Sequence, residues 1–297
     1  MIILEDMSIL YENKSWLVKT TATITSGVYA ILSMIAMWVD FTSFFAYSSL
    51  TYRILLSLGV FAGIALFSFA ACLLYLKFKK RFTVYKSETG HIISIQFGDI
   101  LNTHDIPSDN RICSIVVPVN RCFDTRVDDR LIASSSLHGK FLSFLIANNH
   151  FSPDSLNQQI QKSLIGKPFV TLTKDDKSEG NFKRYPAGTV VCIDAGKKRF
   201  FLLGLSSFDT DLKATTSKED YSIAIQKLIE FCDSNAQGGE VFFPLIGTGL
   251  SRVGISKNDV LHYLYHTVVL NKEHLNFDLT IFIPESERRN VSLTNYK

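Results

Sequence analysis

Residues 243–254 read Phe-Pro-Leu-Ile-Gly-Thr-Gly-Leu-Ser-Arg-Val-Gly, and this stretch decides the fold. A short apolar run over 240–243 enters it, and a helical pattern over 256–270 leaves it. The glycines at 247 and 249 permit positive φ and let a ligand approach the backbone closely. Successive N–H groups ahead of a helix N-terminus form an anion site suited to diphosphate. An ordinary tight turn between strand and helix is the other reading, and the stretch alone does not choose between them.

The same alternation extends on both sides. Apolar runs at 92–97, 113–119, 189–193, 200–205 and 279–283 predict further strands. They are continuous rather than alternating, as in a sheet covered on both faces. Helices are predicted over 140–149, 217–235 and 256–270. The second opens on Thr216-x-x-Glu219, a capping-box pattern, and carries Tyr221, Ile225, Leu228, Ile229 and Cys232 as one apolar stripe. Strand–helix alternation of this kind predicts an α/β three-layer sandwich. The polar stretch 174–184 is expected to be an exposed loop.

Three more segments sit at ends of predicted strands, where open α/β sheets bind ligands. Gly98-Asp99-Ile100 follows the 92–97 run, and an acid there can accept an adenine amino group; a strand-end turn is the alternative. Val119-Asn120 closes the 113–119 run and leads into Arg121-Cys-Phe-Asp124. Ser134-Ser-Ser-Leu-His-Gly-Lys140 offers small residues ahead of a helix, a second possible phosphate cradle. In it, His138 can touch phosphate, act as a base, or be structural. Asp124, Arg126, Asp128 and Asp129 either read part of a ligand or form a solvated loop.

Upstream lies a different kind of sequence. The chain has 297 residues, 46% hydrophobic and only 20% charged, against roughly 25% charged in ordinary soluble domains. Residues 20–39 and 54–76 contain no charged side chain. As helices they reach about 30 and 34 Å, enough to cross a bilayer. Residues 1–81 hold seven Lys/Arg and four Asp/Glu, so the whole net charge of +3 lies there; the other 24 basic and 24 acidic residues cancel. Bulk electrostatic binding of nucleic acid is therefore not indicated. Lys77, Lys79, Lys80 and Arg81 follow the second run, and Lys14 and Lys19 precede the first. The bias predicts a transmembrane hairpin over 1–81 in the cell membrane, both termini cytoplasmic, and a cytosolic domain over 82–297. Gly59 and Gly63 form a small-xxx-small pair in the second span, a pattern that lets helices approach closely.

Taken in order, Gly98-Asp99-Ile100, Val119-Asn120, the loop 135–140 and Pro244-Leu-Ile-Gly-Thr-Gly249 resemble the motifs of a macro domain, the ADP-ribose-binding module. The resemblance spans roughly residues 90–285. It implies a mixed sheet within the α/β/α sandwich, with no metal and no cofactor. It implies that Asp99 holds the adenine amino group and the Ile100 N–H the ring. Ser136, Leu137, His138, Gly139 and Lys140 with Gly247, Thr248, Gly249, Leu250, Ser251 and Arg252 would wrap the diphosphate. Asn120 would sit near the distal ribose. Phe123 stands where hydrolytic macro domains carry a second Asn, and Ser-Ser-Leu-His-Gly replaces their glycine run. Binding rather than hydrolysis is thus the implied activity, with a membrane-tethered ADP-ribosyl hydrolase or plain ADP-ribose reader as the alternative. A scaffolding protein on a channel-like hairpin is a third possibility.

A two-span hairpin ahead of such a domain, with Tyr185-Pro-Ala-Gly-Thr189 before a buried strand, is similar to the membrane-anchored macro effectors of bacterial Thoeris anti-phage defence. That resemblance implies a partner TIR enzyme that consumes NAD and makes an ADP-ribose-derived signal, such as a histidine conjugate. The effector binds the signal, forms a homo-oligomer and disrupts the lipid bilayer.

Overall fold

The computed structural model describes residues 10–11, 13–38, 49–102, 113–249, 253–272, 275–288, 290–291 and 296. The chain divides into two compact units, one built on the N-terminal helices and one covering Arg81–Arg288.

In the first unit, α1 (Lys14–Trp38) and α2 (Leu50–Phe78) are 25 and 29 residues long. Ser49 caps α2, its hydroxyl accepting the Tyr52 N–H. The helices pair antiparallel: Trp16 stacks on Tyr75 and, further along, Tyr29 meets Phe61 edge-on. Both are long and apolar enough to cross a membrane. Only 6% of the most apolar window of either is buried, so neither is the core helix of a globular protein. A Cβ built on Gly59 or Gly63 meets nothing within 4 Å. The small-residue pair therefore faces away from α1.

The second unit carries a mixed sheet. Its strands are β1 (Arg81–Lys86), β2 (Ile92–Phe97), β3 (Cys113–Asn120), β6 (Val190–Ala195), β7 (Lys198–Phe208), β9 (Glu240–Pro244) and β10 (Asp278–Ile283), with β8 (Ala214–Thr215) on the end of β7. The order is β1-β2-β10-β9-β3-β7-β6. The five central strands are parallel, and β1 and β6 run antiparallel at the edges. A separate ribbon pairs β4 (Val170–Thr171) with β5 (Lys183–Arg184).

Helices cover both faces. Consecutive residues of β7 point oppositely: Phe200 packs on Phe141 of α3 (Leu137–Ala147), and Phe201 meets Phe231 of α5 (Lys218–Asn235). α4 (Pro153–Ser163) lies beside α3 over the same core, through Leu156 and Ile160. α6 (Lys257–Leu270) packs on α5. This is the α/β three-layer architecture with a mixed sheet that the alternation and the motifs predict. Every predicted strand and helix forms, with shifted ends; α3 begins three residues before its expected start because Ser136 caps it.

The sequence reading misses β1, α4 and the two-residue strands β4, β5 and β8. Two expectations are overturned. The cap of α5 is Ser217, whose hydroxyl accepts the Asp220 N–H, and not Thr216. The stretch 174–184 is not simply an exposed loop. Lys177 within it is fully buried against Asp124, an ion pair that composition cannot reveal, and its last two residues form β5.

Candidate functional site

Because β2, β10, β9, β3 and β7 are parallel, their carboxyl ends share one edge of the sheet. Phe97 lies level with Ile283, and Pro244 with Phe282. Asp99 and Ile100 follow β2, the 245–249 turn follows β9, Asn120 ends β3, and α3 starts from the loop after β3. The topology thus collects at one edge every candidate residue that the structure describes. Leu250, Ser251 and Arg252 lie outside the described residues.

At the β2 end, Gly98 N–H donates to the Ile283 carbonyl at 3.0 Å, tying this turn to β10. Asp99 is exposed; one carboxylate oxygen accepts the Leu101 N–H at 3.0 Å. Ile100 is buried in the core below it.

The 245–249 turn is closed from within. Thr248 donates its hydroxyl to the Leu245 carbonyl at 2.8 Å. Gly247 has φ +95, a left-handed conformation that favours glycine, and a Cβ on Gly249 would meet nothing within 4 Å among the described residues. The Tyr221 hydroxyl donates to the Ile246 carbonyl at 3.1 Å. Burial pushes that hydroxyl up, so it stays a donor. The sequence placed Tyr221 only in the core stripe of its helix, and nothing in its spacing distinguishes it from the neighbouring apolar positions.

At α3, Ser136 Oγ accepts the Gly139 N–H at 2.9 Å and donates to the Ala133 carbonyl at 2.6 Å. A Cβ on Gly139 would stand 2.3 Å from that carbonyl, so glycine is needed for the helix to start this close to the preceding loop. The first turn carries no acidic residue. Its dipole and the N–H groups of Leu137 and His138 therefore favour an anion. Lys140 is exposed on this turn. His138 is buried, and burial alone drives its imidazole down to about 3, so it is neutral at physiological pH.

Asn120 is buried at the end of β3, between the ends of β9 and β7. Its Oδ1 accepts the N–H groups of Cys122 (3.0 Å) and Asp124 (3.4 Å). Its Nδ2 is buried and has no protein partner. Next to it, Arg121 points elsewhere, donating to the Tyr185 carbonyl at 2.8 Å and to Asp220 at 3.0 Å. Phe123 is in the core at φ 51, edge-on to Tyr185 and against the backbone of Gly204. Asp124 is not a solvated loop residue but the buried partner of Lys177, whereas Arg126 is exposed and pairs with Asp128 and Glu179.

The family model of the Thoeris protein ThsA macro domain matches residues 93–284, well over half of the chain. The chain belongs to this family. The Thoeris protein ThsA of Bacillus amyloliquefaciens (strain Y2) is 24% identical over 221 residues, which cover 70% of this chain and 67% of that protein. Among solved structures, the macrodomain of Oceanobacillus iheyensis with MES bound gives a TM-score of 0.42 at 14% identity, over 71% of this chain and 91% of that one. The same organism's macrodomain with ADP gives 0.41 at 13% identity, over 70% and 90%. The match to the ThsA macro domain begins inside β2 and ends after β10, so it takes in Asp99, Asn120, the α3 start and the 245–249 turn together. Both apolar helices precede it.

Proposed function

We propose that this protein is a membrane-anchored receptor for an ADP-ribose-derived nucleotide in Thoeris defence. The observation that carries the reading is the orphan Nδ2 of Asn120 at the candidate edge. Leaving such a donor unpaired costs about 1–3 kcal/mol, which a hydroxyl of a bound ribose would recover. On either side, the α3 start and the Gly247–Gly249 turn offer N–H groups to a diphosphate. Asp99 stands further along the edge, where its carboxylate accepts an adenine amino group.

Position 123 holds a phenylalanine buried in the core rather than a second asparagine, so binding rather than hydrolysis is the activity the residues favour. The hairpin anchors the domain in the cell membrane with both termini in the cytoplasm. Oligomerisation would use the α2 face that carries Gly59 and Gly63, which α1 leaves open. The bound nucleotide drives assembly by binding the assembled state more tightly, and assembly disrupts the bilayer.

Co-expression tests this directly. Cells carrying this chain and an NAD-consuming TIR enzyme should lose membrane potential on activation of that enzyme, while cells carrying either alone should not. Depolarisation by this chain alone, unchanged by the enzyme, contradicts the receptor role.

A further inference from the structure

Lys177 is one of the most buried side chains in the molecule, at 0% exposure. Its ammonium is 2.6 Å from Asp124 Oδ2, donates to the Asn181 carbonyl at 2.9 Å, and faces the Phe208 ring at 5.5 Å. The other Asp124 oxygen accepts the Asn181 N–H at 2.6 Å. The Asn181 side-chain amide donates to the carbonyls of both Cys122 and Phe123, each at 3.1 Å. Gly180 has φ +89, and a Cβ there would lie 2.4 Å from Asp124, so the loop closes this tightly only with glycine. Outside it, Arg126 and Arg130 both pair with Glu179.

This network holds the backbone of residues 122–124 and nothing at the ligand edge directly. Those residues in turn supply the two N–H groups that hold Asn120 Oδ1. An amide is planar, so fixing Oδ1 fixes the direction of Nδ2. Phe123 also occupies a left-handed conformation uncommon for a bulky residue, which persists only where its surroundings enforce it. A buried charge pair is a poor source of stability, because desolvation offsets its attraction; fixing one geometry is its better attested use.

We propose that Lys177 is a positioning residue for the nucleotide site: through Asp124 and Asn181 it fixes the turn that aims the Asn120 amide at the ligand. This rests on the ADP-ribose reading above.

The test uses the full chain in lipid nanodiscs, with ADP-ribose titrated by calorimetry and melting recorded for each variant. Asn181→Ala leaves the ion pair in place and should weaken ADP-ribose about tenfold, the effect of a binding-competent turn populated one-tenth of the time. Lys177→Met should lower the melting temperature and the affinity together. Lys177→Met with Asp124→Leu, which removes both charges, should recover most of the melting temperature but not the affinity. If the double variant regains both, or if Asn181→Ala binds like the wild type, the network is only structural and the proposal is overturned. Should Lys177→Met fail to fold, Asn181→Ala decides alone. A wild-type chain that folds and binds no ADP-ribose overturns the receptor reading, and this proposal with it.

Discussion

The ring of Tyr221 occupies the space into which a side chain on Gly247 would project: a Cβ there would lie 2.9 Å from the ring. The same tyrosine donates its hydroxyl to Ile246, so one residue of α5 both shapes and ties the turn after β9. Gly247→Ala meets this contact and a left-handed φ, and should destabilise the protein by about 1–3 kcal/mol. Gly249→Ala meets neither and should change stability by less than about 0.5 kcal/mol. Chemical denaturation of the two variants side by side checks the contrast; equal losses would mean that the turn is not built on Tyr221.

Asp99 is exposed and outside the core, so Asp99→Ala should cost far less in melting than in binding. Its affinity for ADP-ribose should fall by about 1.5–3 kcal/mol, the worth of a charge-assisted hydrogen bond. Unchanged affinity would remove Asp99 from the site. Gly249→Val should also weaken binding, by blocking approach of phosphate to the backbone.

His138 gives the fold a sensitivity to acid. The unfolded chain takes up a proton near pH 6.5 that the folded chain refuses until about pH 3. Stability from this residue is therefore full above pH 6.5 and is lost as the pH falls toward 3, by at most about 1.4 kcal/mol per pH unit. Urea midpoints at pH 7 and pH 5 should fall further apart in the wild type than in His138→Gln. Equal differences would mean that the imidazole is not held neutral.

In the membrane unit, Gly59→Leu with Gly63→Leu fits without a clash inside the hairpin, since both positions face open space. The variant should bind ADP-ribose normally yet lose ligand-induced cross-linking in membranes and toxicity. Undiminished cross-linking would place the oligomer interface elsewhere.

Much of this was legible in the chain. The central strands bury both faces and so announce themselves as continuous apolar runs, and α6 declares its start through Ser256; at α5 the adjacent Thr216 and Ser217 both suit a cap, and the structure uses Ser217. The helix α4 is hard to read because Leu156, Ile160 and, at its end, Leu164 reach the core from an otherwise polar segment. Its Ser152 cap with Pro153 at the start was the signal available. β1 is not legible because Phe82 is its one buried residue, set between charged ends, which gives no apolar run. At the site, Asp99, Asn120, Gly247 and Gly249 stood out as strand-end residues. Lys177 did not: a buried lysine looks like any other lysine until its partner, 53 residues away, is placed beside it.

The central claim is that the carboxyl edge of this sheet binds an ADP-ribose-type nucleotide. Calorimetric titration of ADP-ribose into the full chain in lipid nanodiscs tests it most directly. The account predicts saturable binding at one site per chain that Asp99→Ala weakens; no heat of binding at millimolar ligand, from a chain that is folded, would contradict it.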